Sequence, residues 1–328
     1  MSALQQANIS LLHIDWMLFL LPMPFFIGML LDALAWKMLL PKRLKISVTS
    51  LYAPQISAEA VLLSIPGGFV LADAIKVFLL KHRSHIPGGT TAASLIMRHW
   101  MLGITQLFFI SSVCVASGIF AQDQIFSIQN HKSTVVAAIG VLIAASVALG
   151  FIVKKLIQGT LARTIWKFLF RFRIPALRKR LKRFASSFKQ VDLQFAEAGR
   201  QKKAYLAAAF FLYVIHWFMD AGETLLVVQS LGFHISFLSV LLIEAILSAV
   251  RLGAFFLPSG IVVKDLGYIA LFSSMNIYAT TAQIAAFVVV KRIVLLFCIA
   301  VGYAALLMQG VRWNGKRFIS YKAALENQ

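Results

Sequence analysis

The sequence predicts an all-α integral membrane protein with about five full spans. It also predicts two helix pairs broken at Pro and Gly, either re-entrant or fully spanning, arranged as an inverted repeat. Three observations carry this. First, 60% of the 328 residues are hydrophobic and 13% are charged, with a mean hydropathy of +0.82. A soluble domain is about half apolar and about a quarter charged, so a 36.3 kDa globule could not hide this much apolar surface. Lipid must solvate it. Second, two apolar stretches stop at Pro66-Gly67-Gly68 and Pro258-Ser259-Gly260, and an intramembrane Asp follows each, Asp73 and Asp265, at one offset of 192 positions. Third, the net charge of +20 is concentrated. Lys154 to Lys203 holds 15 Lys or Arg against Asp192 and Glu197. That pattern marks a cytoplasmic loop under the positive-inside rule.

Taken in order, the first span is expected over Trp16–Leu40, with Asp32 turning one face toward protein rather than lipid. No Lys or Arg precedes Lys37, so a cleavable leader is not expected and the span stays in the mature chain. The first broken pair runs from Leu51 to Ile65 and on to about Leu80. Further spans are expected at Ala92–Phe120, Val135–Val153, Ala204–Leu231 and Ala282–Met308, with the second broken pair over Phe237–Leu257 and Ile261–Phe272. A half 1–157, a basic linker 158–203, a half 204–311 and a tail 312–328 follow. Lys42, Arg43, Lys45, Lys81 and Arg83 place the early loops inside, as Arg312, Lys316 and Arg317 do the tail. The expected setting is the inner membrane, N-terminus outside and C-terminus cytoplasmic.

Within the linker, Leu177, Leu181, Phe184, Phe188 and Val191 form an apolar stripe beside Arg178, Lys179, Arg180, Lys182 and Arg183. This pattern fits an interfacial helix on anionic headgroups. A flanking bilayer is a nearer partner for these charges than nucleic acid. Cys114 and Cys298 sit in apolar runs and form neither a disulfide framework nor a metal spacing.

Charges at membrane depth are costly and mark function. They concentrate at the two breaks: Asp73 and Lys76 three apart, Arg98 and His99 in the next span, Glu244 and Arg251 two turns apart, Lys264 and Asp265 after Pro258, and Lys291 and Arg292 in the last span. Asp73, Lys76, Arg98, Glu244, Arg251, Lys264, Asp265 and Arg292 are therefore the candidate substrate-binding residues, suited to a phosphate or other anionic headgroup. Buried ion pairs that only fix packing are the structural alternative. His216, Asp220 and Glu223 stack on one face of the fifth span as a candidate ion-coupling cluster or polar seam. No metal site is expected there. Hydrolase, nucleotide and dinucleotide motifs are absent, so neither a cofactor nor an enzymatic activity is expected.

At these residues the sequence resembles a flippase-like family that includes the transmembrane region of lysylphosphatidylglycerol synthases. The first signature reads Ile65-Pro66-Gly67-Gly68, Ala72-Asp73-Ala74-Ile75-Lys76 and Arg98; the second reads Pro258-Ser259-Gly260-Ile261-Val262-Val263-Lys264-Asp265. Arg251 to Gly260 resembles the hopanoid-biosynthesis branch most. The chain departs from the family pattern with Asp for Glu at both turns, Lys for Arg at 76 and Val262 for Gly. Charge sign survives these changes, but bidentate Arg geometry at 76 does not. The resemblance implies movement of a polar-headgroup or polycyclic lipid across the membrane, or support of it. It does not imply aminoacyl transfer, which belongs to a soluble domain. Two other expectations stand beside this one. One is a non-catalytic partner of a lipid-biosynthetic enzyme, docked through the basic linker. The other is an intramembrane lipid-modifying enzyme using His216, Asp220 and Glu223.

Overall fold

The computed structural model describes residues 20–41, 44–65, 67–120, 203–232, 235–253, 261–274, 280–313 and 318–320. The Val135–Val153 span, the basic linker and its amphipathic stripe lie outside these. Eight long helices are described: α1 (Met23–Leu39), α2 (Val48–Ser64), α3 (Phe69–Arg83), α4 (Gly88–Phe120), α5 (Lys203–Ser230), α6 (Phe237–Gly253), α7 (Ile261–Ser274) and α8 (Thr281–Met308). A short antiparallel ribbon, β1 (Val311–Trp313) with β2 (Phe318–Ser320), follows in the register Val311 to Ser320.

Three stretches, Gly88–Ser117, Ala204–Ser230 and Thr281–Met308, are helical, long and apolar enough to cross a membrane. They coincide with three of the expected spans. The remaining helices are shorter. At 1.5 Å per residue the 17 residues of α2 reach about 25 Å and the 14 of α7 about 21 Å, less than the ~30 Å hydrocarbon core. In place of the expected Trp16–Leu40, the described helix begins at Met23, with Pro22 at its cap and Pro24 inside its first turn. Proline supplies no N–H, and the first turn of a helix is where none is needed.

The first break is where the sequence predicts it. Gly67 takes a left-handed backbone (φ 67°), which glycine adopts without strain. A Cβ on Gly68 would stand 2.7 Å from the Val61 carbonyl oxygen and 2.8 Å from that of Ile65. The turn is therefore too tight for a side chain, and α3 folds back on α2. Ala58 and Val61 of α2 then bury against Ala72, Ile75 and Leu79 of α3, with Leu306 of α8 closing the cluster. Pro66, Pro258, Ser259 and Gly260 lie outside the described residues.

Two long packings organise the bundle. α1 lies along α5, its Gly28 so close that a Cβ would meet the His216 ring at 3.2 Å. α2 lies along α8, where a Cβ on Gly302 would stand 2.5 Å from the Ala60 Cβ and 2.7 Å from the Ile56 carbonyl oxygen. Small residues permit such backbone approach between membrane helices. α6 packs on α4. The aromatic core stands beside this seam, with Tyr268 and Phe272 each 5.0 Å from Phe287, edge to face.

Candidate functional site

Where the short helices meet α1, α4, α5 and α8, a cavity of about 310 Å³ opens among them. Its wall carries Asp32, Glu59, Asp73, Asp220, Glu223 and Asp265 against Lys76, Arg98, Lys264, Lys291 and Arg292, with His99 and His216. Residues nearly two hundred positions apart in sequence, such as Asp73 and Asp265, thus share one space. A low-dielectric wall makes an unpaired charge very unfavourable, so each carboxylate's partner matters.

Two inner ion pairs form the floor. Asp32 of α1 receives both Nε and Nη2 of Arg98, the Nε bond being 2.8 Å, and the Gln55 amide also donates to it at 2.8 Å. Its side chain is 1% exposed. Lys291 of α8 donates to Glu223 of α5 at 2.8 Å, with side-chain exposures of 10% and 16%. Two outer pairs stand nearer the opening. His99 Nε2 lies 2.7 Å from Asp73, and Arg292 forks onto one oxygen of Asp265. These are looser to solvent, 50% exposed at His99 and 30% at Arg292.

Behind the wall, Glu244 of α6 is buried and accepts hydrogen bonds from Thr224 and Tyr268 through one oxygen. Lys264 approaches its other oxygen at 3.4 Å. Two ammonium groups lie over the Tyr268 ring, Lys264 Nζ at 5.7 Å and Lys291 Nζ at 5.8 Å from its centroid. The ring quadrupole thus adds to the carboxylates in gathering both cations at one corner of the cavity.

The sequence-predicted residues fall into place unevenly. Asp73 and Lys76 are 3.9 Å apart, a loose contact, and the closer partner of Asp73 is His99. Lys264 and Asp265 are neighbours in sequence but take separate partners, because successive helical residues point about 100° apart. The backbone of Arg251 lies in α6, but its side chain is outside the described residues. His216, Asp220 and Glu223 all reach the cavity, yet not as one cluster. Glu223 is tied to Lys291, and His216 Nδ1 donates to the Gly28 carbonyl at 2.9 Å. Among the described residues no group of three His, Cys, Asp or Glu is placed to hold a metal. Cys298 forms part of the wall as a free, buried thiol.

The family model for the Lysylphosphatidylglycerol synthase TM region matches residues 1–302. The chain belongs to this family. No curated protein and no solved structure matches it. In this member of the lysylphosphatidylglycerol synthase TM-region family, six carboxylates face five Lys or Arg around the cavity, a balance of −1 with both histidines neutral. The whole chain carries +20, so the site is held near neutrality inside a strongly basic protein. Glu59 is the cavity carboxylate that sequence reasoning missed. The signal was there: an intramembrane Glu is costly in itself, and Gln55 and Glu59 are four apart on one face of α2.

Proposed function

We propose that this membrane protein is a lipid translocase whose cavity shelters a polar headgroup while the acyl chains stay in the bilayer. The carrying observation is the gathering of eleven Asp, Glu, Lys and Arg side chains from both halves around one cavity of about 310 Å³. A headgroup phosphate entering hydrocarbon alone would meet a prohibitive desolvation penalty. In the cavity it exchanges water for ion pairs that already exist. When phosphate displaces Asp265 from Arg292, one salt bridge replaces another, so the net change is small and the step reversible. The tightly buried Asp32–Arg98 pair stays as scaffold, and the exposed outer pairs are the ones that open.

Correspondence between the halves supports an inverted repeat. Asp32 matches Glu223, Asp73 matches Asp265, Arg98 matches Lys291 and His99 matches Arg292, at offsets of 191 to 193 positions. Each inner and each outer pair therefore recurs in the other half. Helix packing recurs as well: exchanging α1 to α4 with α5 to α8 turns the α2–α8 contact into the α6–α4 contact. Short broken helices meeting at mid-depth between such halves are the architecture of alternating-access transporters.

The test is transbilayer exchange of acyl-labelled phosphatidylglycerol and phosphatidylethanolamine in proteoliposomes, read by dithionite quenching of the outer leaflet. The wild-type protein is expected to exchange at least one probe well above protein-free vesicles, and Lys264→Ala to slow it about tenfold or more with insertion unchanged. Wild-type vesicles no faster than empty ones would refute the proposal. Covalent change of the lipid by purified protein in detergent micelles, where there are no leaflets to cross, would favour a lipid-modifying enzyme instead.

A further inference from the structure

We propose that Glu59 carries the proton that couples lipid movement to a transmembrane proton gradient, an inference that rests on the translocase reading and deepens it. Asp32, Glu223 and Asp265 each hold a base in an ion pair, Asp73 is hydrogen-bonded to His99, and Glu244 holds Lys264. Glu59 differs. It lines the cavity half-buried on α2, and among the described residues it has no hydrogen bond and no basic partner within the 4.0 Å of an ion pair.

The groups that face it set its chemistry. Lys76 of α3, Arg98 of α4, Asp32 of α1 and His216 of α5 are within electrostatic reach. Asp73 of α3, and Lys291, Arg292 and Cys298 of α8, stand further round the same wall. Arg98 and Asp32 neutralise each other, as do Lys291 and Arg292 with their own partners. The first half is then left with Glu59 and Asp73 against Lys76, one negative charge in surplus while His99 is neutral. One proton removes that surplus and adds no volume. A permanent cation at Glu59 would have to settle within the field of Lys76, which repels it. His216 donates through Nδ1 to the Gly28 carbonyl, which leaves Nε2 as the basic nitrogen of a relay.

The cycle balances without a further reactant. On one side, hydronium gives its proton to the Glu59 carboxylate, leaving water and a neutral carboxylic acid. Lys76, held only loosely by Asp73 at 3.9 Å, is then free to take a headgroup phosphate. After the cavity turns to the other side, the acid returns its proton to water. The re-formed carboxylate competes with the phosphate for the field of Lys76, and the phosphate leaves. Proton and phosphate travel in the same direction.

The experiment adds a pH gradient to proteoliposomes holding the two labelled phospholipids, with the membrane potential clamped by valinomycin and potassium, and pyranine trapped inside. In wild-type vesicles a transported probe is expected to accumulate in the leaflet facing the alkaline side, by about tenfold per pH unit for one proton per lipid. A protonophore should abolish this accumulation. Glu59→Gln, fixed in the neutral form, should leave the leaflet ratio at about one and stop lipid-dependent proton entry, while Glu59→Asp should keep the sign of the response. Wild-type exchange that ignores the gradient overturns proton coupling but leaves the translocase standing. Accumulation on the acidic side, or unchanged accumulation in Glu59→Gln, also overturns it. Wild-type vesicles with no exchange sink both readings. Should Glu59→Gln fail to insert, the wild-type response and Glu59→Asp decide.

Discussion

Replacing Arg98 with Leu would leave the Asp32 carboxylate, now 1% exposed, with the Gln55 amide as its remaining strong donor. Removing one member of a buried ion pair costs about 3–5 kcal/mol, because the survivor keeps its charge and loses its counter-charge. Replacing both residues with Leu removes the charge altogether. What remains is the orphaned Gln55 amide, a penalty of about 1–3 kcal/mol, partly offset by new apolar packing. The double variant should therefore be more stable than Arg98→Leu. At about 2–4 °C per kcal/mol for a chain of this size, the single substitution should lower the melting temperature by roughly 6–20 °C and the double by less than about 10 °C. Cys298 is 2% exposed, so in a Cys114→Ser background thermal melts in mild detergent followed with a thiol-reactive dye report the opening of this wall. A double variant that loses as much as the two single substitutions added together would refute the pairing and with it the scaffold role of the floor.

Arg292→Ala should behave in the opposite way, since its side chain is 30% exposed: melting should move by only a few degrees, while lipid exchange in proteoliposomes falls about tenfold or more. Gly302→Val places methyl groups where Ala60 and the Ile56 carbonyl already stand, so a loss of about 1–3 kcal/mol or more is expected in the same melt. Tyr268→Phe removes one of the two hydroxyls that donate to Glu244 and should cost about 1–3 kcal/mol, with Thr224→Val matching it. Gly68→Ala drives a Cβ against two carbonyl oxygens and should give protein that inserts but is cut by protease near residue 68; full resistance would refute the tight-turn account.

Local features of the fold were legible in the sequence. The break at Gly67-Gly68 and the three longest described helices follow from composition and from glycine and proline, which act within a few residues. The site was legible as an inventory but not as a wiring diagram. Asp32 could be marked as turned from lipid, yet its partner Arg98 is 66 positions away, and no periodicity links them. Adjacency misleads too: Lys264 beside Asp265, and Asp73 three before Lys76, look like pairs, but Lys264, Asp265 and Asp73 each close on another helix. Glu59 went unmarked because it sits in a run of small and apolar residues before the Pro/Gly turn, where only its charge distinguishes it.

The crossed seating of the short helices has a mechanical consequence. α2 rests on α8 and α6 rests on α4, so the hairpin of each portion is gripped by the long rod of the other. Neither portion can swing alone; any tilt of one rod hauls the opposite hairpin with it, as the two blades of scissors share a pivot. A chain severed in the stretch between Phe120 and Lys203 should accordingly yield two fragments that co-purify and fail to fold when made apart.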